Sequence, residues 1–441
     1  MSNEITLKTR REFLRASILG GALSWTVPAF LANTFSAMHA QAEDSATQIA
    51  TGRDSNILVV LQMAGGNDGL NTVVPYNNDY YHRARPKIGL AEQRILKIND
   101  EIGLHESLAG FKELHDAGEL SIVQGVGYPN PNRSHFVSTD IWLTAGDGER
   151  IESSGWLGRY FDNTCSGCDP TIAVNIGRQM PKAFQAKHPV GVSLESPQSY
   201  RFMSREKGKG AELTEASYRK LNEPDSEMAE NAGGTIDAIH GSVQSSGSAL
   251  DFLERTALDA QVSSDKIRTI ASRVENQAAY PASQLGNSLK LVAKLIGGGL
   301  ATRVFYVSQG GYDTHTNQVG THERLLKELG DSVKAFVTDL KAQGNFSRVL
   351  VMTFSEFGRR VAENASSGTD HGAAAPMFVI GNHVKSGSLG KCPSLATSDL
   401  FQGDLKYNLD FRSVYAGVLE NWLKTKSAPI LGRQFTPLQI T

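Results

Sequence analysis

The stretch from residue 303 to residue 354 limits the possible folds more than any other part of the chain. Residues 303–308 (RVFYVS) form a short apolar run that ends in Gly310-Gly311-Tyr312-Asp313-Thr314-His315. Leu325, Leu326, Leu329, Val333, Phe336, Val337 and Leu340 then recur with a 3.6-residue period, which predicts a helix over about residues 322–342. Thr321 is placed to cap its start and Gly344 to end it. Residues 348–354 (RVLVMTF) are a second apolar run. Strand, helix and strand in that order make the crossover unit of a parallel sheet with helices on its faces.

Other segments read the same way. Residues 56–63 are apolar and end in Gly65-Gly66-Asn67-Asp68-Gly69; residues 120–124 lead through Gly125 and Pro129 to Arg133-Ser134-His135. Continuous rather than alternating apolar runs belong to strands buried on both faces. A helix is predicted over residues 134–143, with Val137 beside Ile141 and Phe136 beside Leu143 facing the core, and residues 376–380 give a further strand. Residues 196–300 differ. They read as mostly polar helices, near 214–221, 249–262, 265–276 and 284–296, forming an insertion in the core or a cap over it. The expected class is α/β: a mostly parallel sheet sandwiched by helices, with a helical insertion at about 196–300.

The first residues carry an address. Thr9-Arg10-Arg11-Glu12-Phe13-Leu14 places adjacent arginines, Arg10 and Arg11, before a mildly apolar stretch from residue 16 to residue 31, and Ala40-Gln41-Ala42 offers a small-x-small cleavage site. Residues 1–42 are therefore expected to be a twin-arginine signal peptide, recognised by the Tat translocase, and residues 43–441 a periplasmic or secreted domain. The stretch is interrupted by Ser17, Gly20, Gly21, Ser24 and Pro28, which suits a signal and not a membrane span of about 20 strongly apolar residues. No later segment is long and apolar enough to be a stable span, and a formal net charge of −2 gives nucleic acid no basic face to bind. Of three cysteines, Cys165 and Cys168 stand as C-x-x-C; in an oxidising compartment a short-loop disulfide is the plainest reading, ahead of a redox or zinc role. Three cysteines cannot hold a four-cysteine cluster, and no G-x-G-x-x-G follows the first strand, which argues against a redox enzyme.

In open α/β sheets ligands bind beyond the carboxyl ends of the strands. Asp68 follows the first strand, Ser134 and His135 the second, Asp313 and His315 the third, Glu356 and Arg359 the fourth. Asp370 and His371 precede the strand at 376–380, and reach the same edge if that strand runs antiparallel. Carboxylates and imidazoles gathered in this way suit a divalent metal such as Zn²⁺ or Mn²⁺. Asp68 and Ser134 also have structural readings, as a turn aspartate and a helix cap, and Glu356 as a buried partner of Arg359 or Arg360. His322 is expected on the first turn of its helix in a structural role, and His82, His105, His115, His188 and His240 on the surface.

The blocks LQMAGGNDGLNTVVP (61–75), GVGYPNPNRSHFVSTDIW (125–142), GWLGRY (155–160), GGYDTHTNQ (310–318), FSEFGRR (354–360) and GTDHGAAAPMFVIG (368–381) together resemble the family called domain of unknown function 1501. The resemblance covers nearly the whole chain. It implies a place in the alkaline-phosphatase-like superfamily beside sulfatases and cofactor-independent phosphoglycerate mutases, with a two-metal ester-cleaving centre. On that pattern Asp68 resembles the early ligand, Ser134 the nucleophile at a helix start, Asp313 and His315 a ligand pair, and His371 the final ligand. Ser355-Glu356 stands where an Asp-His pair is usual. One ion would be held by Asp313, His315 and His371, and a second by Asp68, Glu356 and Asp370.

The function expected from these readings is hydrolysis of an anionic phosphate or sulfate ester, with one or two divalent ions, Ser134 as nucleophile, and Arg133 or Arg359 holding ester oxygens. The alternative is a non-catalytic binding or assembly protein on the same fold. Members of the family are often encoded beside a second family, domain of unknown function 1800, which makes such a protein a candidate partner.

Overall fold

The computed structural model describes residues 55–149, 152–165, 168–187, 191–199 and 262–441. Residues 1–42 with Arg10 and Arg11, where a signal was expected, His188, His240, the helix expected near 214–221 and most of that expected near 249–262 lie outside the described residues.

One large sheet organises the molecule. Its strands are β1 (Ile57–Met63), β5 (Leu120–Gly127), β6 (Ala173–Ile176), β7 (Val192–Leu194), β8 (Val304–Gln309), β9 (Val349–Phe354), β10 (Ala375–Ile380), β11 (Gly387–Leu389) and β12 (Leu409–Asp410), counted in chain order after a small three-stranded sheet of β2 (Val73–Val74), β3 (Ile95–Lys97) and β4 (Gly103–His105). The order across the large sheet is β11-β5-β10-β9-β1-β8-β6-β7, with β12 also beside β5. Strand β1 is central, pairing in parallel with β8 on one side and β9 on the other. Strand β10 alone runs antiparallel, to β9 and to β5. The β8-to-β9 unit therefore crosses over β1, as a strand–helix–strand connection requires.

Both faces of the sheet are covered, which is why its strands are apolar throughout. Along β1, Ile57, Val59, Leu61 and Met63 join one buried cluster, and Leu58 and Val60 join the other. Among the described residues, helices on both faces form two layers. The first layer holds α1 (Ala109–Asp116), α4 (Gln284–Gly297) and α5 (Gln318–Ala342), which contribute Phe111, Leu289, Val292, Leu329, Val333 and Phe336. The second holds α2 (His135–Thr144), α3 (Trp156–Thr164) and α6 (Phe411–Gly417), with Ile141, Trp156, Phe161 and Tyr415. Each such side chain contributes about 1.5–3 kcal/mol on burial. Stacked rings of Trp142 on Phe411 (4.3 Å) and Trp156 on Tyr415 (4.3 Å) fill the second layer. The class is thus the α/β sandwich expected, with a mostly parallel sheet.

Local differences have physical reasons. Helix α5 begins four residues before the predicted start, at Gln318, behind Asn317 in a left-handed conformation, so Thr321 lies inside it and His322 on its second turn, buried. Gly344 takes φ +70° just past its end, as expected. Phe136 does not face the core: it is 87% exposed, while its helix neighbours Ile141 and Leu143 are buried. His105 is buried rather than superficial, because β4 pairs with β3 and brings it against His322, with ring centroids 6.2 Å apart. Helix α4, grouped by its sequence with the insertion, packs in the core layer through Leu285, Leu289, Val292 and Ile296; residues 262–273 form a further helix. Cys165 and Cys168 are disulfide-bonded.

Candidate metal centre

Because β10 is antiparallel, the loop that precedes it arrives at the edge where β1, β5, β8 and β9 end. Four loops meet there. The β8 loop brings Asp313 and His315, the start of α2 brings His135, the β9 loop brings Glu356, Phe357 and Arg359, and the segment before β10 brings Asp370 and His371.

Asp313 is the hub. Its Oδ1 lies 3.0 Å from His315 Nε2, 3.1 Å from His371 Nε2 and 2.8 Å from Arg359 Nη2, and its Oδ2 lies 3.5 Å from His135 Nε2. His315 Nε2 and His371 Nε2 are 2.9 Å apart. Ligand atoms of His135, Asp313 and His371 all lie within 4.8 Å of one another. Burial pushes the Asp313 carboxyl up, but the hydrogen bond and charge of Arg359 outweigh it and hold the pKa down at about 2. The carboxylate is therefore ionised at any physiological pH.

The far side of each imidazole is tied to an oxygen that can only accept. His135 Nδ1 donates to Glu356 Oε1 (2.8 Å), His371 Nδ1 to the Arg133 carbonyl (2.8 Å) and His315 Nδ1 to Asp370 Oδ1 (3.3 Å). Since a carboxylate or carbonyl oxygen has no proton to give, the ring proton sits on Nδ1 in all three. The Nε2 atom of each ring then lies within 3.5 Å of the ionised Asp313 carboxylate. His135 Nε2 is buried there without a hydrogen-bond partner. Burial, aided by the charge of Arg359, also lowers the His371 pKa against the pull of the Arg133 carbonyl and Asp313, which favours the neutral ring.

These donors fit a metal ion. Bonds of about 2.0–2.1 Å to zinc place adjacent tetrahedral ligands roughly 3.3 Å apart; four of the spacings here are 2.9, 3.0, 3.1 and 3.5 Å, and His135, Asp313 and His371 fall within 4.8 Å of one another. Three imidazoles with one carboxylate suit Zn²⁺ better than a hard, oxygen-preferring ion. Asp313 and His315 remain 48% and 41% exposed, so the centre has an open side.

The surrounding residues hold this geometry. Arg359 is buried and all its contacts lie within the protein: Nε to the Gly66 carbonyl (2.6 Å), Nη1 to the Thr369 carbonyl (2.8 Å), and Nη2 to the Gly65 and Tyr312 carbonyls and Asp313. It fastens three loops and presents nothing to a substrate, contrary to the role expected of it. Glu356 is also buried, and its Oε1 takes His135 Nδ1 and the Gly65 amide (2.8 Å). Glu356 and Asp370 therefore orient histidines instead of ligating, which is how carboxylates commonly support metal-bound imidazoles. The Phe357 ring lies 4.8 Å from that of His135 and 4.6 Å from that of His371, wedging both. Gly65 has φ +119°, and a Cβ there would meet the Asp313 amide nitrogen at 2.5 Å; only glycine lets the two loops approach so closely.

Residues 55–431 match the family described as "Protein of unknown function (DUF1501)". The chain belongs to the DUF1501 family. No curated protein matches it. Among solved structures, a protein of the alkaline phosphatase superfamily from Vibrio parahaemolyticus is similar over 95% of this chain and 80% of its own, with 10% identity and a TM-score of 0.39. The lipoteichoic acid synthase LtaP from Listeria monocytogenes covers 86% of this chain and 77% of its own at 9% identity and a TM-score of 0.35. The PsFucS1 sulfatase from Pseudoalteromonas sp. covers 86% and 68% at 12% identity and a TM-score of 0.33.

Two residues of this DUF1501 chain stand apart from the centre. Asp68 is fully buried, and its oxygens accept from Arg85 Nη1 (2.9 and 2.7 Å), Gln318 Nε2 (2.5 Å) and the Asn71 amide of the one-turn helix Gly69–Thr72 that it caps. Burial raises its pKa, yet the paired Arg85 leaves it lowered. An internal guanidinium thus stands where a second cation was expected. Ser134 caps α2 by position, is exposed, and makes no capping hydrogen bond. Its neighbour His135 reaches the centre instead. The available signal was its place at the end of β5: in a helix that starts at residue 135, the side chain of the first helical residue can point back over the strand ends, as His135 does.

Proposed function

We propose that this DUF1501 protein is an exported, single-metal hydrolase of phosphate or sulfate esters, with His135, Asp313, His315 and His371 as the ligand set. The observation that carries the reading is the convergence of three Nε2 atoms on ionised Asp313, each ring fixed by an acceptor behind it. A bound divalent ion, zinc by its donor preference, supplies a Lewis acid for an ester oxygen. The chain's own part is to hold four ligands in place through Glu356, Asp370, the Arg133 carbonyl and Arg359, and to leave one side open for the substrate. The ester class rests on the alkaline-phosphatase-like pattern implied by the motifs. Export through the Tat translocase, with release of residues 1–42 into the periplasm, belongs to the same proposal.

Elemental analysis of the mature protein, purified without a metal-affinity tag, tests the metal centre. Close to one Zn per chain is expected, lost in His371→Ala and in Asp313→Ala. A metal-free, folded protein, or full occupancy in both variants, would sink the assignment. Turnover of aryl phosphate and aryl sulfate esters by the metal-loaded protein then tests the ester class.

A second reading, a non-catalytic binding protein, draws on the Asp68–Arg85 pair, which leaves no second metal, and on the unengaged Ser134. A stoichiometric partner, such as a protein of the domain of unknown function 1800 family, co-purifying with a zinc-loaded chain that turns over no ester would favour it.

A further inference from the structure

A second group of charges borders the centre. Asp404 is buried (1% exposed), and its Oδ2 accepts from Arg133 Nε (2.9 Å) and Nη2 (2.5 Å). Its Oδ1 lies 3.7 Å from Arg360 Nε and has no hydrogen-bond partner. Two guanidiniums therefore share the Asp404 carboxylate, and the Arg360 charge also acts on the Asp370 carboxyl. Both arginines stay partly open to solvent, at 35% and 38%. Among the described residues, Arg133 Nη1 and the terminal nitrogens of Arg360 donate no hydrogen bond within the protein.

The backbones of both arginines are built into the metal centre. The Arg133 carbonyl takes the His371 Nδ1 proton, and His135 follows two residues later. Arg360 follows Arg359, which bonds Asp313 and bridges to His371, and the Arg360 amide donates to the Asp370 carbonyl (3.0 Å). The backbones of the pair are thus tied into the Asp313 site, and their side chains keep unspent N–H groups on guanidiniums of the charge opposite to a tetrahedral oxyanion. A guanidinium presents its donors as a planar fork that matches such oxygens two at a time.

We propose that Arg133 and Arg360, tethered side by side on buried Asp404, bind the non-bridging oxygens of a phosphate or sulfate group seated at the metal centre. This rests on the hydrolase reading and deepens it: the selected substrates are monoesters, whose outward oxygens are unsubstituted. A diester, with one of those oxygens alkylated, loses part of the contact. Asp404 is a positioning residue, holding the two forks in fixed orientation without touching the anion.

The test is calorimetric titration of inorganic phosphate, and separately of inorganic sulfate, into the full mature protein, with metal content measured on the same samples. Arg133→Gln and Arg360→Gln should each weaken the anion by about tenfold with metal content unchanged; Arg360→Gln should leave the melting temperature unchanged, Arg133→Gln should lower it because Asp404 loses its hydrogen-bond donors, and Arg360→Lys should recover part of the anion loss. Stronger binding of one anion identifies which ester the site takes. Unaltered anion affinity in both glutamine variants overturns the arginine pair and leaves the metal reading standing. A wild-type protein that holds no metal, yet loses phosphate affinity in Arg360→Gln, overturns the metal reading and keeps the pair. Acetate binding as tightly as phosphate or sulfate, with the same sensitivity to substitution, would overturn the choice of a tetrahedral anion.

Discussion

At the scale of single residues, ion pairs and histidines divide into those that face the centre and those that hold the interior. Arg85 and Asp68 are both fully buried, and Arg85 also donates to Asn71 and to the Val361 and Arg360 carbonyls. Removing one partner strands the other charge, so Arg85→Ala should cost about 3–5 kcal/mol of unfolding free energy, measured by urea denaturation. A loss below about 1 kcal/mol would mean that the carboxylate finds water or another partner. His322 lies beside this pair, donating to Asn67 Oδ1 (3.0 Å). Burial lowers its pKa from 6.5 to about 4. Between those values the unfolded chain takes up a proton that the folded chain refuses, so this contribution is fully present above pH 6.5 and is lost as pH falls towards 4. The loss amounts to roughly 3 kcal/mol. Urea midpoints at pH 7.5 and pH 4.5 should therefore converge in His322→Gln; an unchanged pH slope in that variant would remove His322 as its source.

At the scale of elements, the loop after β1 and the loop after β8 form one unit. Gly65 touches the Asp313 backbone, its amide binds Glu356, and its carbonyl binds Arg359. Gly65→Ala should therefore act on the centre before it acts on the fold. Zinc content should fall sharply while the far-ultraviolet circular dichroism stays that of the wild type; retained zinc would show that the loops can part without moving Asp313. The FSEFGRR segment shows how much of an element's role was legible. Glu356 and Arg359 were legible as candidates at a strand end, and the fold brings both beside His135 and Asp313. Which of them ligate was not legible, because strand ends specify a shared edge and not the direction of each side chain. Glu356 turned to His135 and Arg359 to the loop carbonyls, so both became supports. Helix α5 was readable from its apolar period, but its start was not: Asn317 and Gln318 donate to the Ser367 and Ser366 segment, a tertiary contact that extends the helix by one turn.

At the scale of the whole molecule, no helix among the described residues is long and apolar enough to cross a membrane. With the paired arginines, that motivates a test in cells. Replacing Arg10 and Arg11 by lysine should leave the full-length chain in the cytoplasm, read by fractionation and immunoblot; unaltered export would overturn the Tat assignment. The sequence by itself determined a mostly parallel sheet, because strands buried on both faces are largely apolar and the strand–helix–strand order of β8, α5 and β9 is a parallel crossover; that β1 sits between β8 and β9 is tertiary. The sequence also placed Asp313 and His315 just beyond a strand end, while His371 joined them only on the condition that the strand at 376–380 runs antiparallel. Tertiary structure alone decided the rest. The antiparallel run of β10 delivers His371 to that edge, the first turn of α2 turns His135 inward and Ser134 outward, and Arg85 comes from 17 residues along the chain to claim Asp68. Each depends on the direction and partner of a side chain. Those are fixed by packing and hydrogen bonding between segments far apart in sequence, which local pattern does not encode.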